Sequence, residues 1–168
     1  NVDTRLRKLA EGHYDAIVLA AAGLERLGRG DEGAPLPAAE LVPCPGQGCL
    51  VLEARTGDEG PATAAGAITA AAALRALTAE RALVGTLDAT CNTPVGGLAT
   101  EADGVLSLRA YVGLPDGSHW ITDALEGDPA APTALGEAVA RRLLAAGARE
   151  LLAEAESLAS GASGRLIP

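Results

Sequence analysis

The sequence predicts an α/β part up to about residue 58, followed by a compact α+β domain in which helices pack on a three-stranded antiparallel sheet. Two observations predict this order. Before residue 58, continuous apolar runs alternate with short helical segments, which is typical of an α/β layer. After an alanine-rich helical region, three alternating segments are separated by Asp-Gly turns, which is typical of antiparallel strands.

The first part is predicted to contain two helices and two buried strands. A short basic helix ends before Gly12, and a second helix ends before Gly28, because glycine commonly terminates helices. The first predicted strand is a continuous apolar run after a charged residue, and the second follows a Pro-Gly-Gln-Gly turn. In chain order, the predicted elements are a helix at 4–10, a strand at 15–20, a helix at 21–27, a loop at 28–45, a strand at 49–54 and a linker at 56–61.

The second part begins with a strongly helical composition over residues 62–87, and a break is predicted near residues 76–78. Thr78 is predicted to cap the helix that follows this break. Three strands come next, at 97–101, 105–112 and 119–125, with hairpin turns at 102–104 and 115–117. The remaining segments are a helix at 133–146 ending at Gly147, a short helix at 149–158 and a frayed tail.

The composition restricts the class of protein. Hydrophobic residues make up 48% of the 168 residues but aromatic residues only 2%, so the core must consist of Ala, Leu and Val. The net charge of −9 argues against a nucleic-acid partner, because phosphate binding requires clustered Lys and Arg. No apolar run approaches the roughly 20 residues of a membrane helix, so no membrane partner is expected.

The three cysteines form an odd set without framework spacing, which favours a reducing cytoplasm over a disulfide-built secreted domain. A zinc site from Cys44, Cys49 and a histidine lacks the paired spacing that such sites use. Cys91 differs from the other two because turn-forming residues surround it. It is therefore predicted on a loop, where its thiol could reach a cleft; the alternative is a small buried hydrophobic side chain.

Several segments of the chain resemble the porphobilinogen deaminase (hydroxymethylbilane synthase) family, in the family's order and spacing. Residues 1–9 read Asn-Val-Asp-Thr-Arg-Leu-Arg-Lys-Leu, and residues 14–28 match the next block. Residues 45–48 read Pro-Gly-Gln-Gly, and residues 112–118 read Val-Gly-Leu-Pro-Asp-Gly-Ser. The segment around the thiol, Leu-Asp-Ala-Thr-Cys-Asn-Thr-Pro-Val-Gly at residues 87–96, resembles the cofactor-attachment segment.

The resemblance implies a domain order. It makes residues 1–42 the end of a second, periplasmic-binding-protein-like α/β domain, and residues 43–60 a segment that returns to the first domain. Residues 61–160 become a third, α+β domain, and residues 161–168 a tail. Because the chain has no Met and opens on Asn1, we expect a fragment, a processed product or an incompletely covered polypeptide. The resemblance implies that about half of the enzyme, including the family's catalytic aspartate, precedes Asn1 and is missing from this chain. No general acid is therefore assigned in this chain.

The resemblance also implies a transferase of tetrapyrrole (haem, porphyrin) biosynthesis. Such an enzyme joins four porphobilinogen molecules into hydroxymethylbilane and releases ammonia. Cys91 would hold the dipyrromethane cofactor through a thioether, because a thiolate can add to the azafulvene formed from porphobilinogen. Arg5 and Arg26 fall on positions that contact the carboxylates of the cofactor and of the tetrapyrrole intermediates. The spacing of Arg5 and Arg26 on their short helices, taken alone, predicts ordinary solvent-exposed surface residues.

Two other functions stay open on the residues. The family usually has Glu-Gly-Gly before its cysteine, whereas this chain has Asp88-Ala89-Thr90. A glycine site with positive φ would penalise alanine or threonine by about 1 kcal/mol, which favours a non-catalytic, small-anion-binding or regulatory module that retains the fold. The other function is a thiol enzyme that uses Cys91 with His13 or His119.

Overall fold

A computed structural model of the chain describes residues 1–162, and the chain divides into two compact units between Leu41 and Val42. The last helix runs to Ala162, and residues 163–168, which hold most of the predicted tail, lie outside the described residues. The predicted domain boundaries stay predictions.

The first unit contains two short helices and a single 3-10 turn. Helix α1 spans Val2–Ala10, and the Asn1 side chain caps it by accepting a hydrogen bond of 2.9 Å from the backbone N–H of Thr4. Helix α2 spans Ala21–Arg26, and the 3-10 turn spans Gly30–Glu32. Gly12 and Gly28 have φ values of +76° and +69° after the two helices. Both predicted helices and their glycine stops are confirmed.

The prediction of two buried strands is wrong for this chain. Residues 15–20 and 49–54 form no strand, and their apolar side chains are largely exposed, with Val18 at 64% and Leu50 at 87%. A strand requires a neighbour for its backbone N–H and C=O groups, and neither segment joins the one sheet found among residues 1–162. A periplasmic-binding-protein-like α/β domain is therefore not shown.

The helix break lies earlier than predicted. Helix α3 spans Glu59–Ala67 and begins within the predicted linker at 56–61. Helix α4 spans Ala71–Leu87. The break follows Gly66 and contains β-branched Ile68 and Thr69, which lose side-chain freedom in a helix. Thr78 does not cap a helix, because its hydroxyl donates to the Leu74 carbonyl inside α4 at 2.7 Å.

No single helix among residues 1–162 is long and apolar enough to span a membrane. Helices α3 and α4 pass a test of length and composition only as a pair, and that pair is bent by 105°.

The three-stranded antiparallel sheet is confirmed. Its strands are β1, Val95–Ala102, β2, Val105–Gly113, and β3, Trp120–Gly127, in the order β1-β2-β3. The predicted turn between β1 and β2 places Asp103 and Gly104 at φ values of 50° and 74°, the left-handed pair that a two-residue hairpin requires.

Helices α4, α5 (Pro132–Ala145) and α6 (Ala148–Ala162) pack on this sheet. Helices α4 and α5 approach closely at Gly136, where an added Cβ would collide with the Ala79 carbonyl oxygen. Small residues at the crossing let a core without aromatic rings reach close packing. The largest fully buried side chains are Leu83, Leu106, Leu108, Leu143, Val112 and Val139.

Candidate cofactor-attachment site

Cys91 lies on the loop between α4 and β1, as predicted, and its thiol is exposed and unpaired. Helix α4 ends at Leu87, and its C-cap residue Asp88 adopts the left-handed conformation at φ 56°. The N–H of Ala89 then donates to the Val84 carbonyl at 3.0 Å, which closes the helix end. Because Asp tolerates this conformation better than branched residues do, the helix can end here without glycine.

The replacement of glycine by Ala89 and Thr90 carries no strain from a positive φ. The two non-glycine residues with positive φ among the described residues are Asp88 and Asp103. The expected penalty from a left-handed backbone at Ala89 or Thr90 therefore does not arise. This removes one reason to favour a non-catalytic module.

Two threonines hold the loop around Cys91. The N–H of Thr90 donates to the Thr93 hydroxyl at 2.8 Å, and the N–H of Thr93 donates to the Thr90 carbonyl at 3.0 Å. The two hydroxyl oxygens are 3.1 Å apart. These bonds close the turn around Cys91 through neighbouring residues, so the thiol itself takes no part in holding the loop.

The loop leaves toward one end of the sheet. The N–H of Gly113, the last residue of β2, donates to the Pro94 carbonyl at 3.3 Å. Cys91 therefore lies beyond the end of the sheet where β1 begins and β2 ends. Of the other cysteines, Cys44 is exposed and Cys49 is half-buried, and both are unpaired.

Arg5 and Arg26 are exposed on α1 and in the last turn of α2, both in the first unit. Neither forms a salt bridge within residues 1–162. Arg29 behaves differently, because it binds both Glu32 and Asp3 and thereby joins the 3-10 turn to α1. Its hydrogen bonds lower the pKa of the Glu32 carboxyl, so this arginine is engaged within the unit.

His119 is not hydrogen-bonded to Cys91 within the described part of the chain. His13 belongs to the first unit, where it pairs with Glu11 at 3.4 Å. The part of the chain that the structure describes also contains no group of three or more His, Cys, Asp or Glu residues placed to hold a metal.

A shallow pocket of about 280 Å³ lies between the start of β3 and α6. Trp120, Ile121 and Leu151 form its apolar wall, and Glu150 and Glu154 contribute carboxylates. Cys91, Arg5 and Arg26 do not line it, whereas His119, a candidate residue of the thiol-enzyme alternative, does.

Glu80 is a residue that the sequence prediction missed. Its side chain lies on the buried side of α4, and the residue is only 6% exposed. The helical spacing of Glu80 with Leu83 and Leu87 places all three on the core face, which was the available signal. The carboxylate accepts hydrogen bonds from two backbone N–H groups, so the buried charge is compensated.

Two family models match the chain. Residues 1–63 match the porphobilinogen deaminase dipyrromethane cofactor binding domain, and residues 74–145 match the porphobilinogen deaminase C-terminal domain. The first range contains Arg5 and Arg26, and the second contains Cys91.

Curated relatives agree with these matches. The chain is 43% identical over 153 residues to the porphobilinogen deaminase of Thiobacillus denitrificans. The matched region is 90% of this chain and 50% of that protein. It is 46% identical to the Chromobacterium violaceum protein, over 91% of this chain and 50% of the relative. The chain is 45% identical to the Thermus thermophilus protein, over 92% of this chain and 52% of the relative. The chain thus spans about half the length of the curated relatives it matches, and it belongs to the porphobilinogen deaminase family.

Proposed function

We propose that this chain supplies the cofactor-bearing part of a hydroxymethylbilane synthase, a transferase that joins four porphobilinogen molecules and releases ammonia. The observation that carries the proposal is the exposed, unpaired Cys91 on a loop held by its own neighbours, in a chain that matches both family models. A thiol that has no structural task can be alkylated without loss of the fold. Dipyrromethane, when bound, supplies the primer on which the pyrroles are assembled.

The proposed role of Cys91 is to hold dipyrromethane through a thioether. Its setting fits this task, because the Thr90–Thr93 hydrogen bonds fix the loop backbone while the sulfur stays accessible. The bond of Pro94 to Gly113 fixes the loop against the sheet. The group would therefore be attached to a rigid domain.

The proposed role of Arg5 and Arg26 is to bind carboxylates of the cofactor, substrate and tetrapyrrole intermediates. An arginine fork binds a carboxylate best when both N–H edges are unengaged. Arg5 and Arg26 meet this condition among the described residues, whereas Arg29 does not.

Activity is proposed to require the N-terminal half of the enzyme as a partner. The relatives are about twice as long as the matched region. We place the family's catalytic aspartate in the half that this chain does not match, on the resemblance alone. The exposed apolar segments 15–20 and 49–54 support the same proposal, since strands of the missing half would cover them. We also propose a cytoplasmic setting, in which the three unpaired cysteines would stay reduced.

The attachment step is tested by intact mass spectrometry of the chain produced together with the N-terminal half. The parent chain should carry a fixed mass excess, which Cys91→Ser should remove. Cys44→Ser is the matched control, because Cys44 is also exposed and should leave the excess unchanged. A parent chain without excess mass that still binds anions would favour the non-catalytic module.

A further inference from the structure

The free edge of β1 is covered by a short segment of the same chain. Residues 42–46, which we call the strap, lie along this edge directly after the division between the two units. The Gly97 N–H donates to the Pro43 carbonyl at 2.8 Å. Since β1 pairs only with β2 among residues 1–162, this N–H points away from the sheet and would otherwise be unpaired there.

The glycines of β1 make room for the strap. A Cβ added at Gly96 would lie 2.9 Å from the Val42 carbonyl oxygen, and one added at Gly97 would lie 3.0 Å from Pro45. Real Cβ atoms do not approach backbone oxygen this closely, so the strap lies in direct contact with the strand backbone. The contact needs glycine for space, since neither residue has a positive φ.

Glu80 joins the strap to the edge. One carboxylate oxygen accepts from the Gly46 N–H at 2.6 Å, and the other accepts from the Ala99 N–H at 2.8 Å. The first bond reaches the strap and the second reaches β1, so one buried charged group connects both. Charge-assisted bonds of this kind are stronger than neutral ones, and they weaken sharply when the acceptor loses its charge.

We propose that Glu80 is a positioning residue, whose buried carboxylate anchors the strap and fixes the point where the chain enters the domain that carries Cys91. The strap is followed by residues 49–54, which are proposed above to pair with the N-terminal half. The anchor therefore sets where that pairing segment leaves the domain. This consequence for activity rests on the proposed function, but the anchor itself does not.

Amide hydrogen exchange followed by NMR on this chain tests the anchor. Glu80→Gln should speed exchange at Gly97 about tenfold, because the strap lifts and removes the Pro43 carbonyl. Gly97 is the decisive position, since its N–H does not contact Glu80. Leu106 and Leu108 in β2 should keep their protection. Unchanged exchange at Gly97, or equal acceleration in β2, would overturn the proposal.

Two further variants and one control complete the exchange test. Glu80→Asp keeps the charge but is one methylene shorter, so the carboxylate cannot reach both N–H groups. Amide exchange at Gly97 should therefore also be faster in this variant, which decides the question if Glu80→Gln does not fold. Gly96→Ala should displace Val42 and speed amide exchange at Gly46 and Gly97 while Glu80 is intact. Glu137→Gln, an acid on the exposed side of α5, should change none of these rates.

The consequence for catalysis is measured on the chain combined with the N-terminal half. Glu80→Gln should lower kcat for ammonia release about tenfold, with KM and the mass attached to Cys91 unchanged. An unchanged kcat would overturn the positioning role. If the parent pair releases no ammonia and carries no added mass, the proposed function fails, while the exchange rates still decide whether Glu80 anchors the strap.

Discussion

The first unit and the domain around the sheet use similar apolar residues with different results. In Asn1–Leu41, Leu24 is the one buried residue, although the segment at 15–20 is strongly apolar. In the second unit, leucines and valines from β1, β2, α4 and α5 form a closed core. The difference lies in the neighbours available. An apolar segment is buried where this chain supplies the opposing surface, and it stays exposed where it does not.

The largest expected effect is in the closed core. Leu108→Ala removes a fully buried side chain between the sheet and the helices, and it should lower the free energy of unfolding by about 2–5 kcal/mol. Leu24→Ala, the matched change in the first unit, should cost much less because fewer buried neighbours surround it. Denaturant unfolding followed by circular dichroism measures both. Equal losses would contradict the contrast between the two regions.

The unpaired arginines give the next effect, on activity. In the chain combined with the N-terminal half, Arg5→Leu and Arg26→Leu should each lower kcat/KM about tenfold or more, since each would remove a charge-assisted carboxylate contact that we propose for these residues. Arg7→Leu is the control, because Arg7 lies on the same helix but pairs with Glu11. Unfolding midpoints should barely change. Parental activity in both variants would remove these arginines from the site.

A smaller effect on stability is expected in the exposed segment 49–54. Leu50→Ser should change the free energy of unfolding by no more than about 0.5 kcal/mol, because Leu50 is 87% exposed. The same change should weaken binding of the N-terminal half in a titration. Leu158→Ser, at another exposed leucine on α6, should leave that binding unchanged. Equal binding by both variants would show that this segment is not covered by the partner.

The smallest effect concerns an ion pair that joins α4 to β1. Arg75 binds Glu101 through two hydrogen bonds of 2.7 Å, which lower the pKa of Glu101. A carboxyl with a lowered pKa stabilises the fold above its unfolded-state pKa and loses that contribution as the pH falls through its folded-state pKa. Arg75→Gln should therefore be less stable than the parent at neutral pH, and the gap should close below about pH 4. Unfolding curves at several pH values test this, and a gap that grew on acidification would contradict it.

Local signals predicted the second domain well. The Asp103-Gly104 turn and the alternation that follows it fixed the hairpin, because both depend on residues within the chain. The predicted helix break at Thr78 was wrong, because the Thr78 hydroxyl can donate to a carbonyl inside α4. Helix propensity alone does not distinguish a threonine that caps a helix from one inside it.

Features that depend on distant partners were not predictable in the same way. The strands expected at 15–20 and 49–54 require neighbours that sequence periodicity cannot supply. For the site, the loop position of Cys91 followed from its turn-forming neighbours. The roles of Cys91, Arg5 and Arg26 came from resemblance and stay predictions. The anchor at Glu80 was missed because it joins α4 to residues 34 positions earlier in the chain and 19 positions later.

We propose that this chain folds the domain around Cys91 by itself but needs the N-terminal half for catalysis. The most direct test is to measure ammonia release from porphobilinogen by this chain, by a separately produced N-terminal half and by their mixture, with size-exclusion chromatography of each. We expect the two polypeptides to coelute, and we expect only the mixture to release ammonia. Ammonia release by this chain alone at an ordinary enzymatic rate would contradict it.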